Sequence, residues 1–184
     1  MWQGCHVRGE TLEMWVMDEH RIGLKPLLRR IWAPRGQRPI VRVQPRYEWL
    51  YLYAFAHPNS GRSFYLLMPT VSIVAFSIAL AEFATFVGAS AQQQILILLD
   101  KAGWHVSPDL ERPTGVGLRF LPAYSPELQP AEHLWQLTDV PLANRWFATL
   151  DDLESALAQR CAWLQDQYDL VRSTTRFHWW PALV

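Results

Sequence analysis

The chain has 184 residues, half of them hydrophobic and ten of them tryptophan, so it is long enough and apolar enough to fold as one domain. This composition excludes an intrinsically disordered chain, and a formal net charge of zero excludes a general electrostatic attraction to nucleic acids. Two cysteines, far apart in sequence, fit no metal or redox spacing. Reduced thiols and the lack of a basic-then-apolar signal segment predict a cytoplasmic protein.

The first half of the chain predicts antiparallel strands. Apolar and aromatic runs indicate strands at residues 12–18, 40–43, 48–56 and 62–68. Residues 21–39 read as a basic connection with proline and glycine turn markers, and residues 57–61 have the composition of a hairpin turn. Such short connections favour antiparallel pairing.

The second half predicts helices and strands together. Strand signals occur at residues 95–99 and 116–121. Helix signals occur at residues 70–87, 107–112, 126–138 and 149–167. Ser72 or Thr70 would cap the first of these helices and Gly88 would end it. A helix between strands favours a parallel pair, so the order of elements predicts an α/β fold with a mixed sheet.

Residues 64–81 carry no charge and raise the question of a membrane span. Pro69 interrupts the segment and Glu82 follows it. A buried core helix is therefore preferred, and no membrane partner is expected.

Three acids have settings that suggest function. Asp100 directly follows the apolar run 95–99, where a charge is costly unless something pairs with it, and a metal ion is an effective partner. Asp18 likewise closes an apolar run, and Glu132 lies in the predicted helix 126–138. Each also has an ordinary interpretation: a turn or cap acid for Asp18, a solvated helix acid for Glu132. The neighbouring Glu19 is an alternative ligand to Asp18.

Four stretches carry a family resemblance. They are Asp-Glu-x-Arg-x-Gly-Leu from Asp18, Trp-Ala-Pro-Arg-Gly-Gln at 32–37, Leu-Asp-x-Ala-x-x-His around Asp100, and Leu-Pro-x-Tyr-Ser-Pro-Glu-Leu-x-Pro-x-Glu-x-x-Trp ending at Trp135. In this order they resemble the catalytic domain of a DDE transposase, a DDE superfamily endonuclease of the bacterial insertion-sequence group related to mariner elements.

The resemblance implies an RNase H-like fold and DNA strand cleavage followed by strand transfer. It assigns Asp18, Asp100 and Glu132 as catalytic residues and as ligands of two Mg²⁺ ions, with Mn²⁺ as a substitute. Asp100 would bridge both ions. Two ions roughly 3.5–4 Å apart can serve both the attacking and the leaving oxygen.

The resemblance also implies partners and a domain plan. DNA, as transposon ends and as target, would be the substrate, and a homodimer is expected because family members usually act as dimers. Residues 1–184 would form a single RNase H-like domain without the N-terminal helix-turn-helix region of the family, so a separate DNA-recognition domain or chain is expected.

The segment from Arg21 to Arg46 holds eight basic residues and no acid, close to Asp18. Arginine pairs well with phosphate oxygens, so Arg35, Arg38 and Arg21 are predicted DNA contacts. Lys101 and His105, near Asp100, are further candidates, although His105 could equally support the site or be an ordinary loop residue. Trp32 could stack on a base, but a place in the core is the preferred interpretation.

One departure from the family keeps other functions open. Lys101 replaces the usual asparagine after the second aspartate, and a cation there could weaken metal binding or contact phosphate. One alternative is a catalytically degenerate remnant that serves as a DNA-binding or interaction module. Another is an RNase H-like nuclease that cuts DNA without transposing it.

Overall fold

The computed structural model describes residues 11–42, 46–123 and 125–181, which build a mixed five-stranded sheet with helices on both faces. The strands in spatial order are β3 (Ser63–Met68), β2 (Trp49–Ala56), β1 (Thr11–Gly23), β4 (Gln93–Leu99) and β5 (Val116–Phe120). β2 is antiparallel to β1 and β3, whereas β4 is parallel to β1 and β5. The prediction of a mixed sheet of about five strands is confirmed.

The central strand β1 changes partners along its length. Residues 11–16 pair with β4, and residues 16–23 pair with β2. The ladder between β1 and β4 ends with Val16 beside Leu98. The two strands therefore part just beyond these residues, and the polar residues that follow lie at this opening.

Helix α1 (Ile73–Val87) covers one face of the sheet. Ser72 caps it by accepting a hydrogen bond from the backbone N–H of Ala75, and Gly88 ends it with a left-handed φ of 70°. Both were predicted from sequence. The large side chains buried between α1 and the sheet include Trp15, Tyr53, Phe55, Phe76, Leu80 and Phe83.

The opposite face is covered by later helices. They are 3₁₀ helices at Pro126–Leu128 and Pro130–Leu134, then α2 (Trp135–Thr138), α3 (Leu150–Gln165) and α4 (Tyr168–Thr175). Thr149 and Asp152 form a reciprocal capping box at the start of α3. Leu157 and Leu164 of α3 are fully buried.

Four expectations about local structure are wrong. Residues 21–23 of the predicted connection 21–39 belong to β1, because they continue its pairing with β2. Residues 40–42 of the predicted strand 40–43 form no strand, because β1 and β2 pair directly and leave their connection outside the sheet; Val43 lies outside the described residues. Residues 107–112 form turns instead of a helix. The helix predicted at 126–138 is broken into two 3₁₀ helices and α2, because Pro130 starts a new segment.

The uncharged segment 64–81 belongs to β3 and α1. Within the ranges described above, no helix is both long and apolar enough to cross a lipid bilayer. α4 was not predicted, because it is only eight residues long and no side-chain cap marks its start.

Candidate active site

Strand register places Asp18 and Asp100 next to each other. The ladder of parallel strands ends with Val16 beside Leu98, and each aspartate follows two residues later on its own chain segment. Asp18 still pairs through its backbone with Ala54 of β2, so it lies inside β1 and not at its end. The two carboxylates therefore meet where β1 and β4 part.

Glu132 reaches this place from the helical layer. Its neighbours Ala131 and Leu134 are buried in one apolar cluster with Val16 and Ala54, on the face of β1 to which Asp18 belongs. The Gln129 side-chain amide donates a hydrogen bond to the carbonyl of Met17, at 3.1 Å. This bond ties the 3₁₀ helix that carries Glu132 to the residue before Asp18.

The three carboxylates repel one another. Burial, the charge of Glu19 and then the charges of Glu132 and Asp100 raise the pKa of Asp18 to about 8, although a backbone hydrogen bond from Glu19 opposes the shift. Burial first, and also the charge of Asp100, raises the pKa of Glu132. Anions held together in this way are unfavourable without a positive partner.

Asp100 has a different environment from the other two acids. Its Oδ1 atom lies 2.8 Å from His105 Nδ1 and accepts a hydrogen bond from the Ala102 backbone N–H at 3.0 Å. The hydrogen bond with His105 holds the pKa of the Asp100 carboxyl below its usual value, against the opposing effect of burial. Asp100 is therefore ionised at neutral pH.

His105 is buried between two acids. Its Nε2 lies 2.9 Å from Glu19 Oε1, which also accepts a hydrogen bond from Trp104 Nε1 at 3.1 Å. Burial alone would lower the pKa of His105, but the hydrogen bonds to Asp100 and Glu19 outweigh it and raise the pKa to about 9. The imidazole is therefore protonated at neutral pH and donates at both nitrogens.

The predicted site residues fall into two groups. The structure places Asp18, Asp100 and Glu132 around the opening between β1 and β4. The side chain of Glu19 lies on the other face of β1 from Asp18, where Trp104 and His105 donate hydrogen bonds to it. The sequence reasoning missed this role of Glu19. Strand alternation was the available signal, since neighbours on a strand face opposite sides.

The donor set is suited to a hard cation, although the side chains are not gathered tightly. Among residues 11–42, 46–123 and 125–181, no three His, Cys, Asp or Glu side chains are positioned to hold one metal ion together. The acids at the site nevertheless offer only oxygen donors, and Gln129 Oε1 nearby is buried without a hydrogen-bond partner. Carboxylate and amide oxygens are the ligands that Mg²⁺ prefers, so these residues fit such an ion chemically.

The predicted DNA contacts lie mostly at the surface. Arg35, Arg38 and Lys101 are exposed, and the Arg21 guanidinium lies 3.8 Å from the ring centroid of Trp49. His105 differs from these residues because it is buried and both of its ring nitrogens are hydrogen-bonded within the protein, which disfavours a contact with DNA.

The preferred interpretation of Trp32 is wrong. The residue is 102% exposed and not part of a core, because the connection that carries it runs outside the sheet.

The family model described as DDE superfamily endonuclease matches residues 13–154, which is most of the chain. The chain belongs to this family. The matched range contains all three acids of the candidate site. A relative of this DDE-family chain, the uncharacterized protein y4pE/y4sA of Sinorhizobium fredii (strain NBRC 101917 / NGR234), is 39% identical over 106 residues, which cover 57% of this chain and 77% of that protein.

Solved structures show the fold of this DDE-family chain. The catalytic domain of Mos1 mariner transposase matches 90% of the chain with a TM-score of 0.54 and 15% identity, and 84% of that domain is covered. The Mos1 mariner paired end complex with Mn matches with a TM-score of 0.57 and 18% identity. The chain spans 56% of that transposase. The fold is therefore RNase H-like, as the resemblance implied.

Proposed function

We propose that this chain is a transposase catalytic domain that cleaves and joins DNA strands with the help of divalent metal ions. The single observation that carries the proposal is the placement of Asp18, Asp100 and Glu132 around the opening between β1 and β4, where the charges of Glu132 and Asp100 raise the pKa of Asp18. Membership of the DDE endonuclease family supports the same activity.

The electrostatics of the site support the use of metal ions. Asp18 is desolvated and lies within the fields of three other carboxylates, those of Glu19, Glu132 and Asp100, so a bound cation would favour its ionised form. Asp18, Asp100 and Glu132 would hold two Mg²⁺ or Mn²⁺ ions. Bound ions would supply activation of a water or 3′-hydroxyl and stabilisation of charge on the leaving oxygen. The structural relatives include Mos1 paired end complexes with Mn and with Mg, which supports this choice of ions.

The surrounding residues would bind and orient DNA. Arg21, Arg35 and Arg38 are exposed on or after β1, where their guanidinium groups can pair with phosphate oxygens. Lys101 is exposed directly beside Asp100, so its ammonium group would contact the phosphate that enters the site. The exposed indole of Trp32 would stack on an unpaired base.

The proposed substrate is duplex DNA that carries transposon ends, together with a target duplex. A Mos1 structure with a left transposon end supports this choice. We also propose that the domain acts as a homodimer and that a helix-turn-helix region, on this or another chain, selects the ends.

Nicking of supercoiled plasmid in the presence of Mg²⁺ or Mn²⁺ tests the proposal. Asp100→Asn should abolish nicking, because the amide cannot replace the anionic oxygens at the centre of the site. Asp109→Asn is the matched control, since Asp109 is an exposed acid in the loop after β4. It should nick like the unmodified chain.

The possible results separate the candidate functions. Metal-dependent nicking that is lost only in Asp100→Asn supports the proposal, and joining of a labelled transposon end to plasmid then separates a transposase from a simple nuclease. If the chain neither nicks DNA nor binds Mn²⁺ in calorimetry, the proposed activity is refuted. DNA binding that survives in that case supports the degenerate remnant, and Lys101→Asn is the first change to make.

A further inference from the structure

Glu19 is nearly buried on the face of the sheet opposite to Asp18. Its side chain is 7% exposed, and its Oε1 atom accepts two hydrogen bonds. One comes from the indole N–H of Trp104 at 3.1 Å and the other from His105 Nε2 at 2.9 Å. Burying a carboxylate is unfavourable unless hydrogen bonds or charges compensate it. The proposed cleavage chemistry gives the Glu19 carboxylate no role.

His105 links Glu19 to Asp100 by a hydrogen bond at each of its two ring nitrogens. With Nε2 bonded to Glu19, the ring plane is fixed and Nδ1 points to Asp100 Oδ1 at 2.8 Å. The Ala102 backbone N–H donates to the same oxygen at 3.0 Å. Oδ1 is thus held from two sides, whereas Oδ2 receives no hydrogen bond from any residue that the structure describes.

The ring of His105 has little room to move. Its centroid lies 4.5 Å from that of Phe76 in α1 and 5.6 Å from that of Trp104. Phe76 is itself fully buried in the core under α1. Packing therefore holds the buried Glu19 and His105 side chains in place, whereas Asp100 is held by its hydrogen bonds.

We propose that Glu19 is a positioning residue, which acts through His105 to hold Asp100 with its second oxygen, Oδ2, turned toward the ions. This inference rests on the proposed metal-dependent function and adds a role for a residue that is not itself a ligand. Strand β1 would thereby contribute two residues to the site, the ligand Asp18 on one face and the positioning residue Glu19 on the other.

The size of the effect follows from known partners of metal ligands. Groups that orient a ligand by hydrogen bonding typically change metal affinity or activity about 10–100-fold when they are removed. Glu19→Ala should therefore weaken Mn²⁺ binding by about 10–100-fold, because Asp100 then samples orientations in which Oδ2 is misplaced. Glu19→Gln should lose less, since its amide oxygen can still accept from His105 and Trp104.

Glu13 provides a matched control on the same strand and the same face. It also accepts a hydrogen bond from an indole, Trp15 Nε1 at 2.9 Å, and from a cation, Arg62 at 3.1 Å. It has no link to Asp100 among the hydrogen bonds of the described residues. Glu13→Ala therefore removes a β1 carboxylate with the same kinds of hydrogen-bond donors as Glu19. It should leave Mn²⁺ affinity unchanged within about twofold.

The experiment combines Mn²⁺ calorimetry with the ¹³C NMR signal of the Asp100 carboxyl group in metal-free protein. The signal is assigned by its disappearance in Asp100→Asn. We expect it to shift in Glu19→Ala and to stay in place in Glu13→Ala, with Mn²⁺ affinity falling only in the first. If Glu19→Ala does not fold, Glu19→Gln and Glu13→Gln replace the pair, with the same signs expected.

Two results would overturn the inference. One is an Asp100 signal that does not move in the Glu19 variant, and the other is an equal loss of Mn²⁺ affinity in the Glu13 variant. Failure of the proposed function looks different, because the unmodified chain would then bind no Mn²⁺. In that event the metal-free signal alone decides whether Glu19 positions Asp100.

Discussion

Asp18 on β1 and Asp100 directly after β4 each lie two residues beyond the last pair of the parallel ladder, Val16 and Leu98. Backbone pairing therefore fixes where both carboxylates lie, before any side-chain contact between them is needed. Because Asp18 is also desolvated, this arrangement leaves the metal-free protein with a carboxyl group that resists ionisation.

The first prediction concerns pH and the metal-free protein. Asp18 has a pKa of about 8 when folded and an ordinary pKa of 3.8. The folded chain thus keeps a proton that the unfolded chain releases, so the free energy of unfolding should fall as pH rises from about 4 through 8. Urea unfolding in chelator at pH 5, 7 and 9 measures this trend.

The variant Asp18→Asn isolates the contribution of Asp18. Its free energy of unfolding should fall less over the same pH range, and it should exceed that of the unmodified chain at pH 9. The pKa of His105, raised to about 9, contributes to both proteins in the same direction. An identical pH dependence in the two proteins would show that Asp18 is not desolvated as described.

The second prediction concerns the binding of DNA phosphates. Replacing exposed Arg35 and Arg38 together by alanine should weaken DNA binding at low salt. It should also make the dependence of log K on log salt concentration shallower by about 0.9 for each phosphate that is no longer neutralised. Fluorescence anisotropy over a salt series measures the slope. Arg172→Ala is the control, because Arg172 is already paired with Asp169 on α4. If this variant weakened DNA binding equally, the effect would come from the change in net charge and not from contacts of Arg35 and Arg38.

The third prediction concerns Trp32. Its side chain is fully exposed, so Trp32→Ala should leave the free energy of unfolding within about 0.5 kcal/mol. Binding to single-stranded DNA should weaken by about 1–3 kcal/mol, as for loss of one stacked base. Trp163→Ala serves as the control, because that indole is partly exposed on α3. Unchanged binding in Trp32→Ala would remove the stacking role.

The fourth prediction concerns the hairpin between β2 and β3. Gly61 has a φ of 78°, and a Cβ atom there would lie 1.8 Å from the backbone oxygen of Tyr168 at the start of α4. Gly61→Ala should therefore destabilise the fold by more than about 1 kcal/mol. In Gly103→Ala the added atom meets nothing within 4 Å, so its effect should be small. Thermal unfolding of both variants provides the comparison, and equal midpoints would contradict it.

Local signals explain what could be predicted from the sequence. Ser72 and Gly88 bound α1 because a side-chain cap and a left-handed turn each depend on a few neighbouring residues. The apolar run before Asp100 identifies a buried strand for the same reason. The setting of Asp100 suggested function for the same reason, whereas the assignment of Asp18, Asp100 and Glu132 together came from the family resemblance and stays a prediction.

Long-range pairing explains what could not be predicted. Residues 40–42 could form a strand only beside an unpaired strand edge. β1 and β2 pair directly with each other, so the connection between them has no place in the sheet. The link from Glu19 to His105 joins residues far apart in sequence, and only the register of β1 and β4 brings them together. The exposed position of Trp32 follows in the same way from the path of its connection.

The central position of β1 also has a consequence for biosynthesis. Asp18 is translated 82 residues before its neighbour Asp100 and 114 residues before Glu132. β1 cannot complete its pairing until β4 emerges. A nascent chain therefore carries Asp18 without its two partner acids until Glu132 has been translated, and the three acids can come together only after that point.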